Sequence, residues 1–460
     1  MNQDALNRLC QRYNALVLTV DETAIHIAVV GSPAQELMEA LRFATQKHID
    51  IECWSAERFE KQQRLETPSG SSLLAQESGS ATERVNHILQ QALSQRASDI
   101  HIEPGETACR VRLRIDGVLQ SLTPLSVETG LTLTARLKVL GKLDIAERRL
   151  PQDGQFTIEL EGKNVSFRLS TLPSRHGEKV VLRVLQQTEQ ALEVEALGMS
   201  AQQQACFSQA LNCPQGLILV TGPTGSGKTV TLYSALGALN NPQVNLCSVE
   251  DPVEIPLPGL NQTQINPKAG LTFQRVLRAL LRQDPDIIMI GEIRDGETAE
   301  IAIKAAQTGH LVLSTLHTNS TSDTLVRLEQ MGVPRWMLTS ALQLVIAQRL
   351  VRKLCPCCRS ALPEPLRLPA NLFPRPLPQW QANGCERCYS GFYGRLALFE
   401  LLPVNAALRQ AMLEGLPARE IETLARQQGM VSLFESGCLA VEEGLTTIEE
   451  IYRVLGFPDG

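Results

Sequence analysis

The stretch GLILVTGPTGSGKT, residues 216–229, decides the fold. It fits the pattern G-x-x-x-x-G-K-[ST], in which glycines let backbone N–H groups close around phosphate oxygens. In such a loop the lysine places a positive charge on the β- and γ-phosphates, and the final hydroxyl can ligate Mg²⁺. The sequence therefore predicts an ATP-binding loop with Thr229 as a magnesium ligand. The predicted nucleotide-binding residues of this loop are Gly222, Pro223, Thr224, Gly225, Ser226, Gly227, Lys228 and Thr229.

The sequence on either side of the loop supplies the context that a phosphate site needs. An apolar run at residues 217–220 predicts a buried strand that leads into the loop, and a helix is expected from about Lys228. The phosphates would then meet a helix N-terminus, where backbone N–H groups are unpaired. Beyond residue 190, apolar runs alternate with amphipathic stretches, which is typical of a parallel sheet wrapped by helices. The predicted fold class is α/β.

Two carboxylates follow apolar runs that predict further strands of this sheet. Glu292 comes just after the run at residues 287–290, and Glu250 follows the run at residues 246–249. Ligands of such sheets bind at the carboxyl ends of the strands. We therefore expect Glu292 to polarise the attacking water, and Glu250 to act on that nucleophile or on water bound to Mg²⁺. Asp286 begins its strand roughly 20 Å from Glu292 and is expected to form an entry turn.

A histidine joins this candidate site. In HLVLSTLHTNS, His317 follows the apolar run whereas His310 precedes it. The strand-end rule selects His317 for the γ-phosphate and leaves His310 a structural role. Arginines are also frequent nearby, but arginines on helix surfaces are ordinarily solvated, so residue chemistry alone assigns none of them to the site.

Length and composition limit the protein class. A chain of 460 residues predicts roughly three globular domains. The formal net charge is -6 and aromatic residues make up 4% of the chain, which argues against a surface that binds nucleic acid without sequence preference. No apolar run approaches the roughly 20 residues that a membrane helix needs, and the N-terminus lacks the pattern of a signal peptide. We therefore expect a cytoplasmic protein.

Changes in composition divide the chain into segments. The stretch KQQRLETPSGSSLLAQESGSATE has linker composition, and CRVRLRIDGVLQSL predicts a hairpin with Asp116-Gly117 at its turn. The predicted segments are a small N-terminal α/β module with a helix AQELMEALRFATQKH (1–60), a flexible linker (61–83), a mixed α/β middle domain (84–190), the ATPase core (191–350), a cysteine-rich subdomain (351–397) and a helical C-terminal subdomain (398–460).

Two C-x₂-C pairs fit three sulfur chemistries: a disulfide staple, a redox pair and a zinc site. Twelve cysteines in a reducing compartment are not typical of a disulfide framework. A redox pair would be expected at a helix start in a thioredoxin-like unit, which this proline-rich region is not. Four thiolates can close a tetrahedral Zn²⁺ site, although the spacing between the pairs is longer than in the commonest zinc pattern. Zinc is therefore predicted, with Cys357 as a bystander, on Cys355, Cys358, Cys385 and Cys388.

The boxes around these residues resemble the traffic ATPases of type II secretion and type IV pilus assembly. GPTGSGKT, VEDPVE, LLRQDPDIIMIGEIRDGETAEIA and TGHLVLSTLHTNS are similar to the phosphate loop, aspartate box, Walker B and histidine box of that family. The resemblance continues through ASDIHIEP, RLRIDG, RLPQDGQF and FRLSTLPSRHGEKVVLRVL upstream, and through GCERCYSGFYGR and GLTTIEE downstream. The tetracysteine motif places the chain, by this resemblance, in the secretion and pilus-extension branch, because the retraction motors lack it.

The resemblance implies an architecture and a set of site residues. It implies a RecA-like core, a PAS-like middle domain and a homohexamer in which ATP lies between these two domains. By the same resemblance Glu292 is the catalytic glutamate. The middle domain would reach toward the nucleotide phosphates with Arg168 and Arg183, and the site would be lined from the catalytic side by Arg278, Arg282 and Arg327.

The resemblance also implies a function and partners. ATP hydrolysis would power assembly of a type IV pilus or a type II secretion pseudopilus, acting on pilins or pseudopilins indirectly through a polytopic inner-membrane platform protein. The protein would lie in the cytoplasm, peripheral to the inner face of the bacterial inner membrane. Family members usually carry a larger N-terminal docking region than the roughly 60 residues that precede the linker here. The residues fit a surface pilus, a secretion pseudopilus and a DNA-uptake fibre equally.

Two other protein classes share a phosphate loop. A RecA-like ATPase that translocates nucleic acid would need a basic groove or stacking aromatics, and single-stranded DNA would stimulate it. A kinase would transfer phosphate to a small molecule, and a nucleotide-dependent scaffold would show no turnover. Direct binding of nucleic acid is not expected.

Overall fold

The strands nearest the N-terminus form a small sheet of their own. The structure, a computed structural model, describes residues 15–20, 24–30, 48–54, 80–122, 124–160, 162–185 and 193–457. Strand β1 (Ala15–Val20) pairs antiparallel with β2 (Ala24–Val30), and β2 pairs parallel with β3 (His48–Trp54). The predicted helix AQELMEALRFATQKH and the predicted linker lie almost entirely outside the described residues.

The middle domain is a six-stranded antiparallel sheet with two helices packed against it. Its elements are α1 (Ala81–Ser94), β4 (Ala97–Pro104), β5 (Cys109–Ile115), β6 (Val118–Ser121), α2 (Val127–Leu140), β7 (Gln152–Leu160), β8 (Lys163–Ser174) and β9 (Gly177–Leu185). The strand order is β6-β5-β4-β9-β8-β7. Successive strand residues face opposite sides of a sheet, so β5 buries Val111 and Leu113 and leaves Arg112 and Arg114 partly exposed. The turn predicted at Asp116-Gly117 joins β5 to β6.

The second half of the chain is built on a seven-stranded sheet. Its strands are β10 (Gly216–Thr221), β11 (Leu246–Glu250), β12 (Leu260–Gln264), β13 (Ile287–Ile290), β14 (Leu311–Leu316), β15 (Leu342–Leu354) and β18 (Phe392–Pro403). Between β15 and β18 in the chain, β16 (Arg359–Ala361) and β17 (Trp380–Ala382) form a separate two-stranded sheet. The order is β12-β11-β13-β14-β10-β15-β18. Neighbours from β12 to β15 run parallel, and β18 pairs antiparallel with β15.

Helices cover both faces of this sheet. They are α3 (Ala201–Leu211), α4 (Lys228–Leu239), α5 (Phe273–Leu280), α6 (Gly296–Gln307), α7 (Thr321–Gln330) and α8 (Arg335–Ala341). Along β10, Leu217 and Leu219 enter one apolar core whereas Ile218 and Val220 enter another. A strand covered on both faces is apolar along most of its length, which is why the apolar runs predicted the central strands. The parallel sheet wrapped by helices is thereby confirmed.

The C-terminal part differs from the predicted segments at two boundaries. The boundary at 350 falls within β15, and the boundary at 397 falls within β18, so residues 398–403 are strand and not helix. The two strands pair from Leu344–Pro403 to Leu354–Phe392, and this long pairing outweighs the helical propensity of the leucine-rich stretch. The helices that follow are α9 (Ala406–Leu413), α10 (Ala418–Gln427), α11 (Leu433–Glu442) and α12 (Ile448–Leu455).

The middle domain touches the cysteine-rich subdomain. Gly394 N donates a hydrogen bond of 3.0 Å to Asp116 Oδ2, at the tip of the β5–β6 hairpin. The Arg96 guanidinium lies 3.9 Å from the centre of the Tyr393 ring, a cation–π contact. Within the described part of the chain, no helix is long and apolar enough to cross a membrane.

Candidate active site and metal cluster

The phosphate loop, residues 222–227, joins the end of β10 to the start of α4. It packs against β15, which runs beside β10 with Ala347 opposite Thr221. A Cβ atom on Gly222 would lie 2.5 Å from the Gln348 carbonyl oxygen, and one on Gly227 would lie 2.8 Å from Gln348 Nε2. The φ angles of these two glycines are 151° and 88°, values that side chains other than glycine rarely adopt. Glycine therefore lets the loop turn tightly against β15 and present its N–H groups to a ligand.

The loop lysine is buried and bonded to its own loop. Lys228 Nζ donates to the carbonyl oxygens of Gly222 and Pro223 at 2.7 and 2.9 Å. Burial lowers the pKa of Lys228 to about 8, and the nearby Glu292 carboxylate offsets part of this effect. The Ser226 hydroxyl is buried without a partner among the described residues, and Thr229 is exposed in the first turn of α4. A buried cation and an unpaired buried hydroxyl in one loop fit an anionic ligand.

Glu292 and His317 meet at the carboxyl edge of the sheet. Glu292 follows β13 with its side chain 19% exposed, and its Oε2 lies 3.5 Å from His317 Nε2. Its other oxygen accepts a hydrogen bond from Arg294. Burial and then the charge of Lys228 lower the pKa of His317, while Glu292 works in the opposite direction. The structure therefore brings Lys228, Glu292 and His317 together, with His317 favoured in its neutral form at pH 7.

Glu250 lies elsewhere at the same edge. Its side chain is buried and accepts hydrogen bonds from Tyr233, from Ser248 Oγ at 2.5 Å and from Gln262 Nε2 at 3.2 Å. Burial and the hydrogen bond to Glu250 raise the pKa of Tyr233. The side chain of this last residue of β11 points into the protein interior. Its Oε1 is engaged by Ser248 of β11 and Gln262 of β12, and its Oε2 by Tyr233 of α4. Its action on the nucleophile stays a prediction, and these contacts do not favour it.

Three arginines assigned by family resemblance make their contacts away from the loop. Arg278 pairs with Glu297 at 2.6 Å, and Arg282 Nη1 donates to the Arg278 carbonyl oxygen at 2.7 Å. Arg327 is exposed on α7. Among the described residues, none of the three has a polar contact with the phosphate loop. Within one chain Arg278 and Arg327 lie on helix surfaces and Arg282 lies in the turn after α5, and the roles of all three at the nucleotide stay predictions.

The two middle-domain arginines share one sheet face. Arg168 and Arg183 are directly opposite each other on β8 and β9, and both are exposed. Arg183 Nε donates to Asp99 Oδ1 at 2.9 Å. Arg168 and Arg183 thus form a solvent-facing pair of cations, and no hydrogen bond within the described residues joins either arginine to the phosphate loop.

The four predicted zinc ligands form a cluster between strand ends. Cys355 follows β15, Cys358 precedes β16, and Cys385 and Cys388 lie between β17 and β18. The Sγ–Sγ distances are 3.8 Å for Cys355–Cys385 and 3.6 Å for both Cys358–Cys388 and Cys385–Cys388. All four Sγ atoms lie within 4.8 Å of one another. Ligands about 2.3 Å from a tetrahedral zinc ion would be about 3.8 Å apart, whereas a disulfide needs about 2.05 Å, so the thiols fit a metal ion.

Sequence reasoning missed the residues that support the loop from β15. Gln348 Oε1 accepts a hydrogen bond of 2.7 Å from Thr231 Oγ1 in α4, and Arg349 Nη2 donates to the Asn319 carbonyl oxygen at 2.9 Å. Both β15 residues are almost fully buried. The available signal was the polar pair Gln-Arg inside the apolar run LQLVIAQRLV, because buried strands rarely carry such residues without a role.

Taken together, a parallel sheet, a strand–loop–helix phosphate site and a carboxylate at the adjacent strand end define a P-loop nucleotide-binding protein. A family model described as "Type II/IV secretion system protein" matches residues 75–453, and the chain belongs to this family.

Individual relatives include proteins of type IV pilus assembly and of type II secretion. The chain is 64% identical over 460 residues to the "Protein transport protein HofB homolog" of Escherichia coli (strain K12), with 100% of both chains covered. It is 46% identical over 378 residues to the "Type IV pilus assembly ATPase PilB" of Acinetobacter baylyi, covering 80% of this chain and 65% of that protein. It is 41% identical over 486 aligned residues to the "Type II secretion system protein E" of Dickeya dadantii, covering 96% and 95%.

Solved structures confirm the predicted α/β ATPase fold class. The pilus retraction motor PilT with bound ADP superposes with a TM-score of 0.56 at 28% identity, covering 81% of this chain and 97% of that one. The Legionella pneumophila ATPase DotB gives a TM-score of 0.60 at 22% identity, covering 80% and 93%, and supports the fold alone.

Proposed function

We propose that this protein is a hexameric ATPase whose hydrolysis of ATP drives assembly of a type IV pilus or a type II secretion pseudopilus. The observation that carries the proposal is the meeting of Lys228, Glu292 and His317 beside the phosphate loop. Membership of a family of secretion and pilus ATPases supports the same conclusion. In this proposal the motor acts at the cytoplasmic face of the inner membrane, through a polytopic platform protein.

Binding rests on the loop. Lys228, which donates to Gly222 and Pro223, would exchange these carbonyls for phosphate oxygens, and the loop N–H groups would hold the remaining phosphate charge. Thr229, exposed in the first turn of α4, would hold Mg²⁺, which when bound neutralises charge on the phosphates. The exchange of partners by a buried lysine favours a ligand with high negative charge, such as a nucleoside triphosphate.

Hydrolysis rests on Glu292. In the proposal its carboxylate accepts a hydrogen bond from the attacking water and orients it toward the γ-phosphate. Neutral His317, 3.5 Å from Glu292 Oε2, would fix the direction of that carboxylate without protonating it. Arg294, which occupies the other oxygen, has to release it before water can bind there. Arginine charge from neighbouring domains would then close over the phosphates.

Phosphate release by purified full-length protein tests the proposal. Lys228→Ala should lose ATP binding, and Glu292→Gln should lose roughly 10²- to 10⁴-fold in kcat while it still binds ATP. Glu300→Gln, which alters an exposed carboxylate paired with Lys304 on α6, is the matched control and should hydrolyse like wild type. Wild-type-like turnover by Glu292→Gln would overturn the assignment. Stimulation by single-stranded DNA would favour a nucleic-acid motor instead.

Deletion in the source organism decides between the products of assembly. The sequence identity of this chain is 46% to a pilus assembly relative and 41% to a secretion relative. These values are nearly equal, so identity alone does not decide between a pilus and a secretion pseudopilus. Pili, secreted proteins and DNA transformation should be scored together, with Glu292→Gln as the catalytically dead comparison. Loss of none of the three would overturn the proposal of an essential assembly motor. Native mass spectrometry of the purified protein should show six chains.

A further inference from the structure

A buried arginine lies behind the phosphate loop. Arg349 is 6% exposed and lies on β15 two residues past Ala347, the residue opposite the end of β10. A Cβ atom on Gly222 would be 3.2 Å from Arg349 Nη1. The guanidinium therefore packs directly against the first glycine of the loop, on the side that faces β15.

Among the described residues, no carboxylate pairs with this cation. Within the described residues it takes part in no ion pair, and the carboxylates of Glu400 and Asp323 act on it only from a distance. Burial lowers the pKa of Arg349, and these two carboxylates offset part of that effect. A buried charge without a partner is costly unless its donors are satisfied.

Arg349 donates two hydrogen bonds to one neighbouring loop and a third to its own strand. Nη2 donates to Asn319 twice, to its carbonyl oxygen at 2.9 Å and to its Oδ1 at 3.2 Å, while Nη1 donates to the Gln348 carbonyl oxygen at 3.0 Å. Asn319 follows His317 by two residues in the loop after β14. The rigid guanidinium thus connects the back of the phosphate loop to the loop that carries the candidate catalytic histidine.

A second anchor holds the same loop from the other strand. Thr318 N donates to Thr221 Oγ1 at 2.9 Å, and Thr221 is the last residue of β10. Beyond the loop, the Glu400 carboxylate accepts from Thr321 N at 3.0 Å and from Thr321 Oγ1 at 2.6 Å. The segment after His317 is therefore tied to β10 at Thr318, to β15 at Asn319 and to β18 at Thr321.

We propose that Arg349 is a positioning residue for ATP hydrolysis, which holds Asn319 so that His317 stays in register with Glu292 beside the phosphate loop. This role rests on the proposed function, because it concerns the same site. Movement of the phosphate loop at Gly222 would reach the histidine loop through this guanidinium as well as through the contact between Thr221 and Thr318.

Arg349→Lys tests the role while keeping the charge. A lysine offers a point charge and not a planar fork, so one of the two bonds to Asn319 should be lost. We expect kcat to fall by up to about 100-fold, as for other small displacements of catalytic groups, with the Kd for a non-hydrolysable ATP analogue unchanged. Hydrogen exchange of the full-length protein should accelerate in peptides that cover residues 316–321 and stay unchanged in β13. In Arg349→Ala, added guanidinium at non-denaturing concentration should restore part of kcat.

Arg352→Lys is the matched control. Arg352 lies on the same strand but pairs with Glu450 at 2.8 Å and stacks on Phe392, so its replacement should leave exchange in 316–321 unchanged. Wild-type kcat and exchange in Arg349→Lys would overturn the proposal, and so would equal losses of kcat, Kd and melting temperature in both variants. If the wild-type protein does not hydrolyse ATP, the proposed function fails. In that case the hydrogen exchange of residues 316–321 in Arg349→Lys, compared with wild type and Arg352→Lys, supports or overturns the proposal that Arg349 holds Asn319.

Discussion

The phosphate loop and the tetracysteine cluster both lie beside β15, yet their side chains are arranged differently for their ligands. Beside the loop, Lys228 is bonded to its own backbone and Ser226 Oγ is buried without a partner among the described residues. In the tetracysteine cluster, three pairs of thiols have Sγ–Sγ distances of 3.6–3.8 Å, and these pairs include all four cysteines. Polar groups with replaceable partners suit a ligand that comes and goes. A preformed tetrahedron of thiols suits an ion that stays.

Removal of the metal should have the largest effect on stability. Apparent binding energies of structural zinc sites are about 10–16 kcal/mol, so Cys355→Ser or a strong chelator should unfold the cysteine-rich subdomain. The purified protein should carry about one Zn²⁺ per chain, measurable by elemental analysis alongside the melting temperature. Cys357→Ser, in the same segment but with an exposed thiol, is the control and should retain the ion. If Cys355→Ser keeps both metal and melting temperature, the cluster is not a structural site.

Replacement of Glu450 should have the next largest effect on stability. Glu450 is 1% exposed and ties α12 to β15 through Arg352, with Arg453 on its other side. Burial alone would raise the pKa of Glu450, but hydrogen bonds from Arg453 and Arg352 outweigh it and lower the pKa to about 2. Because a buried pair is broken, Glu450→Gln should lose roughly 3 kcal/mol of unfolding free energy while kcat is unchanged.

The pH dependence of that loss checks its cause. A carboxylate with a lowered folded-state pKa stabilises the fold above its unfolded pKa and loses this contribution as pH falls toward the folded value. The difference in melting temperature between wild type and Glu450→Gln should therefore be full above about pH 5 and shrink toward pH 2. Glu442→Gln, which alters an exposed pair with Arg375, should show no such dependence. A pH-independent difference would point to packing and not to charge.

The smallest predicted effect is on ATP affinity in alkaline solution. Because burial lowers the pKa of Lys228 to about 8, the free loop loses its charge above that pH, whereas bound phosphate would favour the protonated lysine. Affinity should fall by up to about tenfold per pH unit above pH 8, and binding at pH 9 should take up about one proton. Calorimetry in buffers of different ionisation enthalpy measures this uptake. Zero uptake would mean that the loop is charged before the ligand arrives.

Much of the site was predictable because its chemistry is encoded by neighbours in sequence. The glycines and Lys228 stand in one loop, and Glu292 and His317 each follow an apolar run whose end position is given by strand direction. The cysteine pairs were predictable for the same reason, since ligand spacing within each pair is local. Glu250 shows the limit of this reasoning. It ends a strand at the expected edge, but its side chain turns into a pocket formed by Tyr233 and Gln262, which are distant in sequence.

The sequence by itself determined the class of protein, the phosphate loop and the four cysteines that cluster, because spacing within a loop and periodicity along a strand are properties of short segments. Only the tertiary structure decided that β15 passes behind the loop, so that Arg349 reaches Asn319 30 residues earlier in the chain, and that β18 continues past residue 397 as a strand. These features depend on which strands lie side by side. Strand neighbours are selected by burial and hydrogen bonding across the whole sheet, and no local pattern specifies them.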